Sequence, residues 1–292
     1  ESDNPDALAA LPEIRQLLLD GKYDQAKALS AKKLICKGVG TRGANSANDP
    51  FGCFQTLGDL VLKFDAPGQI SEYRRTLDLE TAVAAVSYRL GDARFTREVF
   101  SSAPDQVLVV RMTCDKPGKI DFAANLTRPE RFTTTAAGSD GLVMSGQLND
   151  GLNGAKGMKY IARVKAVADG GTVNTDGNIL RVMGANSVTL LLTAGTDYKL
   201  NPPYRGNLHE KVTADQLAAA TAKPYEALRQ SHVADYQKLS GRVSLDLSGH
   251  EARKLPTDQR LARMAKDKTP DPDMEALLFQ FGRYLAISSS RP

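Results

Sequence analysis

The chain of 292 residues contains no tryptophan, three cysteines, three histidines and only 6% aromatic residues. Free-standing sugar-binding modules usually stack pyranose rings on aromatic side chains, so the absence of tryptophan argues against a lectin-like module. His209, His232 and His250 lie far apart in sequence and have no metal-like neighbours, which argues against a zinc site. The sequence also has no Gly-x-Ser-x-Gly motif and therefore gives no support for acyl-transfer chemistry.

No apolar run is long enough to span a bilayer, and the longest, 188–194, has the length of a strand. The formal net charge of +4 is small for this length, and the basic residues are scattered along the chain. The glycine motif 38–43 follows a helical pattern instead of a strand, so it does not predict a dinucleotide site. We therefore expect no nucleic acid, no membrane and no cofactor among the partners.

Residues 1–53 read as two helices followed by a loop rich in glycine and asparagine. Cys36 and Cys53 bracket this loop, and a disulfide between them would close a short ring. Such a bridge would contribute roughly 3 kcal/mol by restricting the unfolded chain. The alternative is a pair of free buried thiols, and the sequence leaves both open.

From Phe54 the hydrophobic period changes from helical spacing to two. Residues 83–90 and 95–101 flank Gly91-Asp92, which is a hairpin signal, and 107–113 and 120–126 flank a turn at 116–118. Many short strands with turns about every ten residues are typical of an antiparallel sandwich. We therefore predict a mainly β fold, an antiparallel β-sandwich of the supersandwich kind over 54–205, with N-terminal helices and a C-terminal helical linker.

Residues 206–292 turn helical again. Thr213 is placed to cap one helix and Pro224 to open the next, and the alternation over 243–247 predicts one returning strand. The last helix, 272–287, is strongly apolar and needs partners on most of its circumference.

Isolated carboxylates are frequent, but they give no catalytic pair. A glycosidase needs two carboxylates that face each other across the scissile bond. Asp59, Asp78, Asp105 and Asp150 instead sit in turns or at strand ends, where capping and solvation are the usual roles. No catalytic residue and no metal ligand is therefore assigned.

Several stretches together resemble glycoside hydrolase family 95, the inverting α-L-fucosidases and their relatives. They follow one another along most of the chain in the order expected for that family. They read NPDALAALPEIRQLLLDGKYDQA (4–26), FQTLGDLVLKF (54–64), YRRTLDLETAVAAVSYRLG (73–91), TREVFSSAPDQ (96–106), YIARVKAVADGGTV (160–173), VTLLLTAGTDY (188–198), HVADYQKLSGRVSLDL (232–247), LPTDQRLARMAK (255–266) and MEALLFQFGRYLAISSSRP (274–292).

The resemblance implies a front β-sandwich, a helical linker, an (α/α)6 barrel that holds the active site, and a small C-terminal β domain. On that plan the first strands would precede Asn4, and the chain would stop after the first helix of an incomplete barrel. The general-acid Glu, the base Asp and the helper Asn pair would lie beyond Pro292. The resemblance also implies an oligosaccharide substrate, bound through the missing catalytic domain, and a periplasmic or secreted location.

The leading hypothesis is a non-catalytic front portion of a carbohydrate-cleaving enzyme, most simply an inverting α-L-fucosidase that is inactive in this form. The alternative is a glycan-binding or protein-interaction β-sandwich module without enzymatic activity. Association with the remaining parts of the enzyme, or with a second copy, is also expected. If the loop reaches the barrel, Arg42, Asn45, Asn48 and Asp49 are the candidate substrate-binding residues at its rim; otherwise this is a solvated surface loop.

Overall fold

A computed structural model describes residues 4, 6–34, 56–65, 68–149, 156–199, 206, 209–247, 254–268 and 270–290. The chain divides into two compact units, one of residues 1–56 with 147–158 and one of residues 57–146 with 159–292.

The smaller unit contains two packed helices, α1 (Ala7–Leu19) and α2 (Tyr23–Lys33). Gly21 joins them with φ +74°, a left-handed conformation that glycine adopts without steric cost. The amide of Asn4 donates to the carbonyl of Lys33 at 2.8 Å, and Lys33 approaches Asp6 at 3.6 Å. The start of the segment is thus tied to the end of its second helix, which confirms the predicted helical beginning.

The larger unit is built on two antiparallel sheets, and the β-sandwich predicted from the sequence is confirmed. One sheet has four strands in the order β1-β6-β11-β10, and the other has eight in the order β2-β3-β4-β5-β12-β9-β8-β7. The strands are β1 (Asp59–Lys63), β2 (Ile70–Asp78), β3 (Val83–Leu90), β4 (Ala93–Ser102), β5 (Val107–Cys114), β6 (Ile120–Thr127), β7 (Thr133–Ala136), β8 (Gly141–Asn149), β9 (Lys156–Asp169), β10 (Thr172–Asp176), β11 (Ile179–Ala185) and β12 (Ser187–Thr196).

The turns predicted from the sequence make two kinds of connection, one between neighbouring strands of a sheet and one between the two sheets. Gly91-Asp92 closes a two-residue hairpin in which Leu90 pairs with Ala93, and Gly91 has φ +61°. The turn at 116–118, by contrast, carries the chain from β5 in the large sheet to β6 in the small one. Gly170-Gly171 likewise joins β9 to β10 in the other sheet. A Cβ on Gly171 would lie 2.3 Å from the carbonyl oxygen of Met183, so no larger residue fits there.

Four further helices follow, with bounds α3 (His209–Thr221), α4 (Tyr225–Ser240), α5 (Thr257–Asp267) and α6 (Pro272–Ser289). The large sheet has its two faces covered differently, since successive side chains of a strand point to opposite faces. On one face Phe100, Val109 and Leu191 pack with Ala220 of α3 and Leu228 of α4. The opposite face looks toward the four-stranded sheet.

Two expectations for the helical region are wrong. Thr213 does not cap a helix: it is buried inside α3, and its hydroxyl bonds the carbonyl of His209 at 2.8 Å. Residues 243–247 belong to neither sheet, and Val243, Leu245 and Leu247 are exposed. The side chain of Arg283 donates to the carbonyl of Val243 at 2.6 Å, so a side chain supplies a hydrogen bond that a neighbouring strand would otherwise give.

Within the part of the chain that the structure describes, no helix combines the length and apolar character required to cross a lipid bilayer.

Candidate functional site

Several of the residues proposed from the sequence lie outside the described residues. They are Arg42, Asn45, Asn48 and Asp49 of the rim loop and the cysteine pair Cys36 and Cys53. Their roles stay predictions. Cys114, on β5, is a free thiol. No group of three or more potential metal ligands occurs among the described residues.

Two of the isolated carboxylates take the structural roles expected of turn residues. Asp78 accepts a hydrogen bond from the backbone N–H of Glu80 at 2.8 Å, and Asp105 accepts one from the hydroxyl of Ser102 at 2.6 Å. Both therefore serve local turns. Asp150 lies outside the described residues, and Asp59 opens β1.

The first candidate region is the attachment of α4 to the large sheet. Helix α4 begins after Pro224, whose fixed φ suits a helix start. The hydroxyl of Tyr225 donates to Glu98 on β4 at 2.6 Å, and that of Tyr236 donates to the carbonyl of Leu79 at 3.0 Å. Between them the ring of His232 stacks on Phe100 at 4.8 Å. Polar and aromatic contacts thus fix both ends and the middle of the helix.

An ion pair between the exposed Lys223 and a buried carboxylate fixes the corner between α3 and α4 to the turn between β4 and β5. The ammonium of Lys223 lies 2.5 Å from Asp105, whose side chain is 2% exposed. Burial alone would raise the pKa of Asp105, but the hydrogen bonds from Lys223 and Ser102 outweigh it and bring the pKa below its ordinary value. The corner therefore depends on an ionised carboxylate.

A second ion pair fixes the joint between α5 and α6. The guanidinium of Arg260 contacts both carboxylate oxygens of Asp271, at 2.7 and 3.0 Å, and both residues are buried. Asp271 also caps α6 by accepting from the backbone N–H of Met274 at 3.1 Å. The bond from Arg260 is the main reason why the pKa of Asp271 is lowered, and the N–H of Met274 adds to it.

The second candidate region is a cavity of about 630 Å3 between the two sheets. Phe64 and Ile120 line it from the small sheet, and Tyr88, Phe95 and Arg97 line it from the large one. The rings of Tyr88 and Phe95 lie 5.3 Å apart and nearly parallel, at 13°. They face each other across the paired strands β3 and β4.

Two polar side chains that line this cavity, Arg97 and Tyr88, have surroundings that affect the hydrogen bonding of the first and the pKa of the second. The guanidinium of Arg97 lies over the ring of Phe64 at 4.8 Å. Its Nε is buried, and no hydrogen-bond acceptor among the described residues reaches it. Burial raises the pKa of Tyr88, and the positive charge of Arg97 acts in the opposite direction. Sequence reasoning missed this site because Phe64, Tyr88, Phe95 and Arg97 look like ordinary strand residues.

Comparison with known proteins assigns the chain to a class. Residues 1–201 match the family described as glycosyl hydrolase family 65, N-terminal domain, and residues 224–292 match the glycosyl hydrolase family 95 catalytic domain. Since the first match covers more than half of the chain, the chain belongs to the glycosyl hydrolase family 65 N-terminal domain family. The second match begins where α4 begins, and it supports the resemblance to family 95.

Curated relatives agree with this assignment. "Alpha-L-fucosidase 2" of Arabidopsis thaliana is 32% identical over 99% of this chain and 36% of that protein. "Probable alpha-fucosidase A" of Aspergillus niger is 32% identical over 83% of this chain and 31% of that protein, and its Aspergillus oryzae counterpart is 27% identical over 83% and 35%. The chain thus spans about a third of the length of these relatives.

Proposed function

We propose that this chain is the front portion of an inverting α-L-fucosidase and has no glycosidase activity in this form. The observation that carries the proposal is the attachment of α4. The match to the family 95 catalytic domain begins at residue 224, and α4 is bonded to the large sheet along its length. The β domain would therefore act as the platform on which the catalytic domain starts.

The ion pairs support this role because one fixes the α3–α4 corner to the large sheet and the other fixes α5 to the start of α6. Lys223 and Asp105 hold the entry into α4, and Arg260 and Asp271 hold the turn into α6. Leu278 and Leu285 on α6 are 69% and 49% exposed, which leaves apolar surface for further helices of a catalytic domain. The domain division 1–53, 54–205 and 206–292 stays a prediction from the sequence.

The chemistry of such an enzyme would be carried by residues outside this chain. In an inverting hydrolase one carboxylic acid protonates the leaving oxygen, while a second group activates a water molecule on the opposite face of the sugar. No residue of this chain is assigned either task. Its contribution would be to position the catalytic domain.

An activity assay tests the proposal directly. The purified 292-residue chain is incubated with 2'-fucosyllactose, and free fucose is measured against a blank. The Arabidopsis thaliana relative serves as the positive control. We expect release by the control and none by this chain, because both catalytic carboxylates would be absent. Turnover by the chain above the blank would contradict the proposal.

An interaction module is the second candidate, and one observation favours it. β1 lies at one edge of the four-stranded sheet and β2 at one edge of the eight-stranded sheet, and every residue of β2 is exposed. Exposed strand edges recruit further strands. Light scattering separates the two readings: a concentration-dependent oligomer would support an interaction role, and a monomer across the concentration range would argue against it.

A further inference from the structure

The cavity between the sheets contains one buried N–H donor, the Nε of Arg97, that has no acceptor in the described part of the chain. Asp121 accepts from the backbone N–H of Gly184 at 2.8 Å, and Asp92 and Asp65 approach lysines at 3.7 and 3.9 Å. None of these three carboxylates forms a described ion pair with Arg97. Asp65, Asp92 and Asp121 also line the cavity, but the side chains of Asp65 and Asp92 are 79% and 84% exposed to solvent. A buried N–H without an acceptor is unfavourable, so the Nε of Arg97 is suited to an acceptor oxygen of a bound molecule.

The shape of the charged group narrows the class of anion. A guanidinium presents N–H groups in a planar fork that matches the two oxygens of a carboxylate. Arg97 is held by the ring of Phe64 on one side, so its orientation is restricted before any ligand arrives. A carboxylate fits this planar donor set better than a spherical anion does.

The aromatic rings and the volume of the cavity indicate what kind of molecule carries the carboxylate. The paired rings of Tyr88 and Phe95 offer apolar faces against which the C–H groups of a pyranose ring can pack. Polar groups around them come from Thr96, Thr113 and Lys119 and from the carboxylates of Asp65, Asp92 and Asp121. The volume of about 630 Å3 lies within the range of small-molecule sites, roughly 300–1,000 Å3. One or two sugar rings would fill it.

We propose that this cavity binds a carboxylated sugar, a uronic acid residue, whose carboxylate pairs with Arg97 and whose ring packs against Tyr88 and Phe95. The site lies in the β domain and does not depend on the proposed fucosidase function. A chain that fails the activity assay could still bind the sugar acid, so the two ideas succeed or fail separately.

The first test is calorimetric titration of the 292-residue chain with sodium D-glucuronate, D-glucose and sodium acetate at one ionic strength. We expect saturable binding of glucuronate, with glucose and acetate each at least about tenfold weaker, since each lacks one half of the recognised chemistry. Equal affinity for acetate and glucuronate would overturn the sugar assignment. Equal affinity for glucose would overturn the role of Arg97, and no saturable binding of glucuronate would overturn the site.

Variants locate the binding. Arg97→Gln should weaken glucuronate binding by about tenfold or more, because the charge is lost while a polar side chain remains. The matched control is Arg75→Gln on the exposed strand β2, which does not line the cavity and should leave binding unchanged. Phe95→Leu should lower the affinity for glucuronate toward that for acetate.

Circular dichroism and thermal unfolding of each variant show whether it folds. If Arg97→Gln does not fold, Phe95→Leu still decides the question, because the site requires its ring. Unchanged binding in a folded Arg97→Gln or Phe95→Leu variant, or equal losses in Arg75→Gln and Arg97→Gln, would contradict the proposal.

Discussion

Two neighbouring residues of β4, Arg97 and Glu98, face opposite sides of the same sheet and have opposite surroundings. Glu98 accepts a hydrogen bond from Tyr225 and lies 3.8 Å from the guanidinium of Arg229. Arg97 lies over the ring of Phe64, and its buried Nε has no acceptor among the described residues. The helix-covered face is thus satisfied by the chain itself, whereas the cavity face has room and charge for something else. The first face is therefore structural, and the second is the one on which we propose that a ligand binds.

The largest expected effect comes from truncating one phenylalanine on each face of the large sheet and comparing the losses in stability. Phe100→Ala removes a ring that is 3% exposed and packs against Tyr225 and His232, and it should lower the free energy of unfolding by about 3–5 kcal/mol. Phe95→Ala, on the cavity side of the same strand, should cost less than half as much, because water can enter the space. Urea unfolding measures both, and equal costs would remove the distinction between the faces.

The next largest loss of stability is expected from the ion pair between Lys223 and Asp105 at the α3–α4 corner. Asp105→Asn should cost about 1.5–3 kcal/mol at pH 7, since it removes a charged hydrogen-bond acceptor from Lys223 and Ser102. The pKa of Asp105 is lowered in the folded chain, so this stability is present above about pH 4 and is lost as the pH falls through the folded pKa. Urea titrations at pH 7 and pH 3 should therefore show the gap between wild type and variant narrowing in acid.

Tyr225 should make the helix face sensitive to alkali. Burial and then the hydrogen bond to Glu98 raise its pKa well above the ordinary value. A raised pKa favours the neutral folded form, so this stability is complete below about pH 10 and declines as the pH rises further. Between pH 10 and 11 wild type should lose up to about 1 kcal/mol more than Tyr225→Phe. Parallel pH profiles for the two proteins would argue against the expected shift.

The smallest effect is expected at Arg97. Arg97→Met removes a side chain whose buried Nε has no described acceptor, and the lost contact with Phe64 offsets the gain, so stability should change by less than about 0.5 kcal/mol. Arg111→Met should cost about 1 kcal/mol, since Arg111 donates to Thr189 at 2.8 Å and lies over Tyr225. A large loss at Arg97 would show that the charge already has a partner.

Local patterns predicted the fold well where a strand has distinct faces and a recognisable turn. The hairpin at Gly91-Asp92 is an example, since its turn residues and flanking alternation agree. β2 was not predicted, because its sequence ISEYRRTLD is polar on both faces and its pairing with β3 is irregular between Ser71 and Arg74. Its place at the sheet edge explains that composition.

Errors and omissions at the candidate sites have a common physical cause, which is long-range contact. A hydroxyl before an apolar pattern predicts a helix cap at Thr213. In the fold Thr213 lies inside α3, and its backbone carbonyl accepts a hydrogen bond from Thr193 of β12 at 2.9 Å. Tyr225 and Glu98 are 127 residues apart, and no local pattern connects them. The family resemblance predicted the overall plan, while the cavity around Arg97 depends on which residues the folded sheets bring together.

The repeated passage of the chain between the two sheets has a consequence for biosynthesis. The chain changes sheet five times, after β1, β5, β6, β9 and β11. During synthesis on the ribosome, β1 cannot pair until β6 has emerged. β5 pairs first with β4 and cannot pair with β12 until that strand has emerged. Such non-local pairing folds slowly, in about milliseconds to seconds for β-rich topologies. The strands of the large sheet therefore cannot all be paired before Thr196, the last residue of β12, has been synthesised.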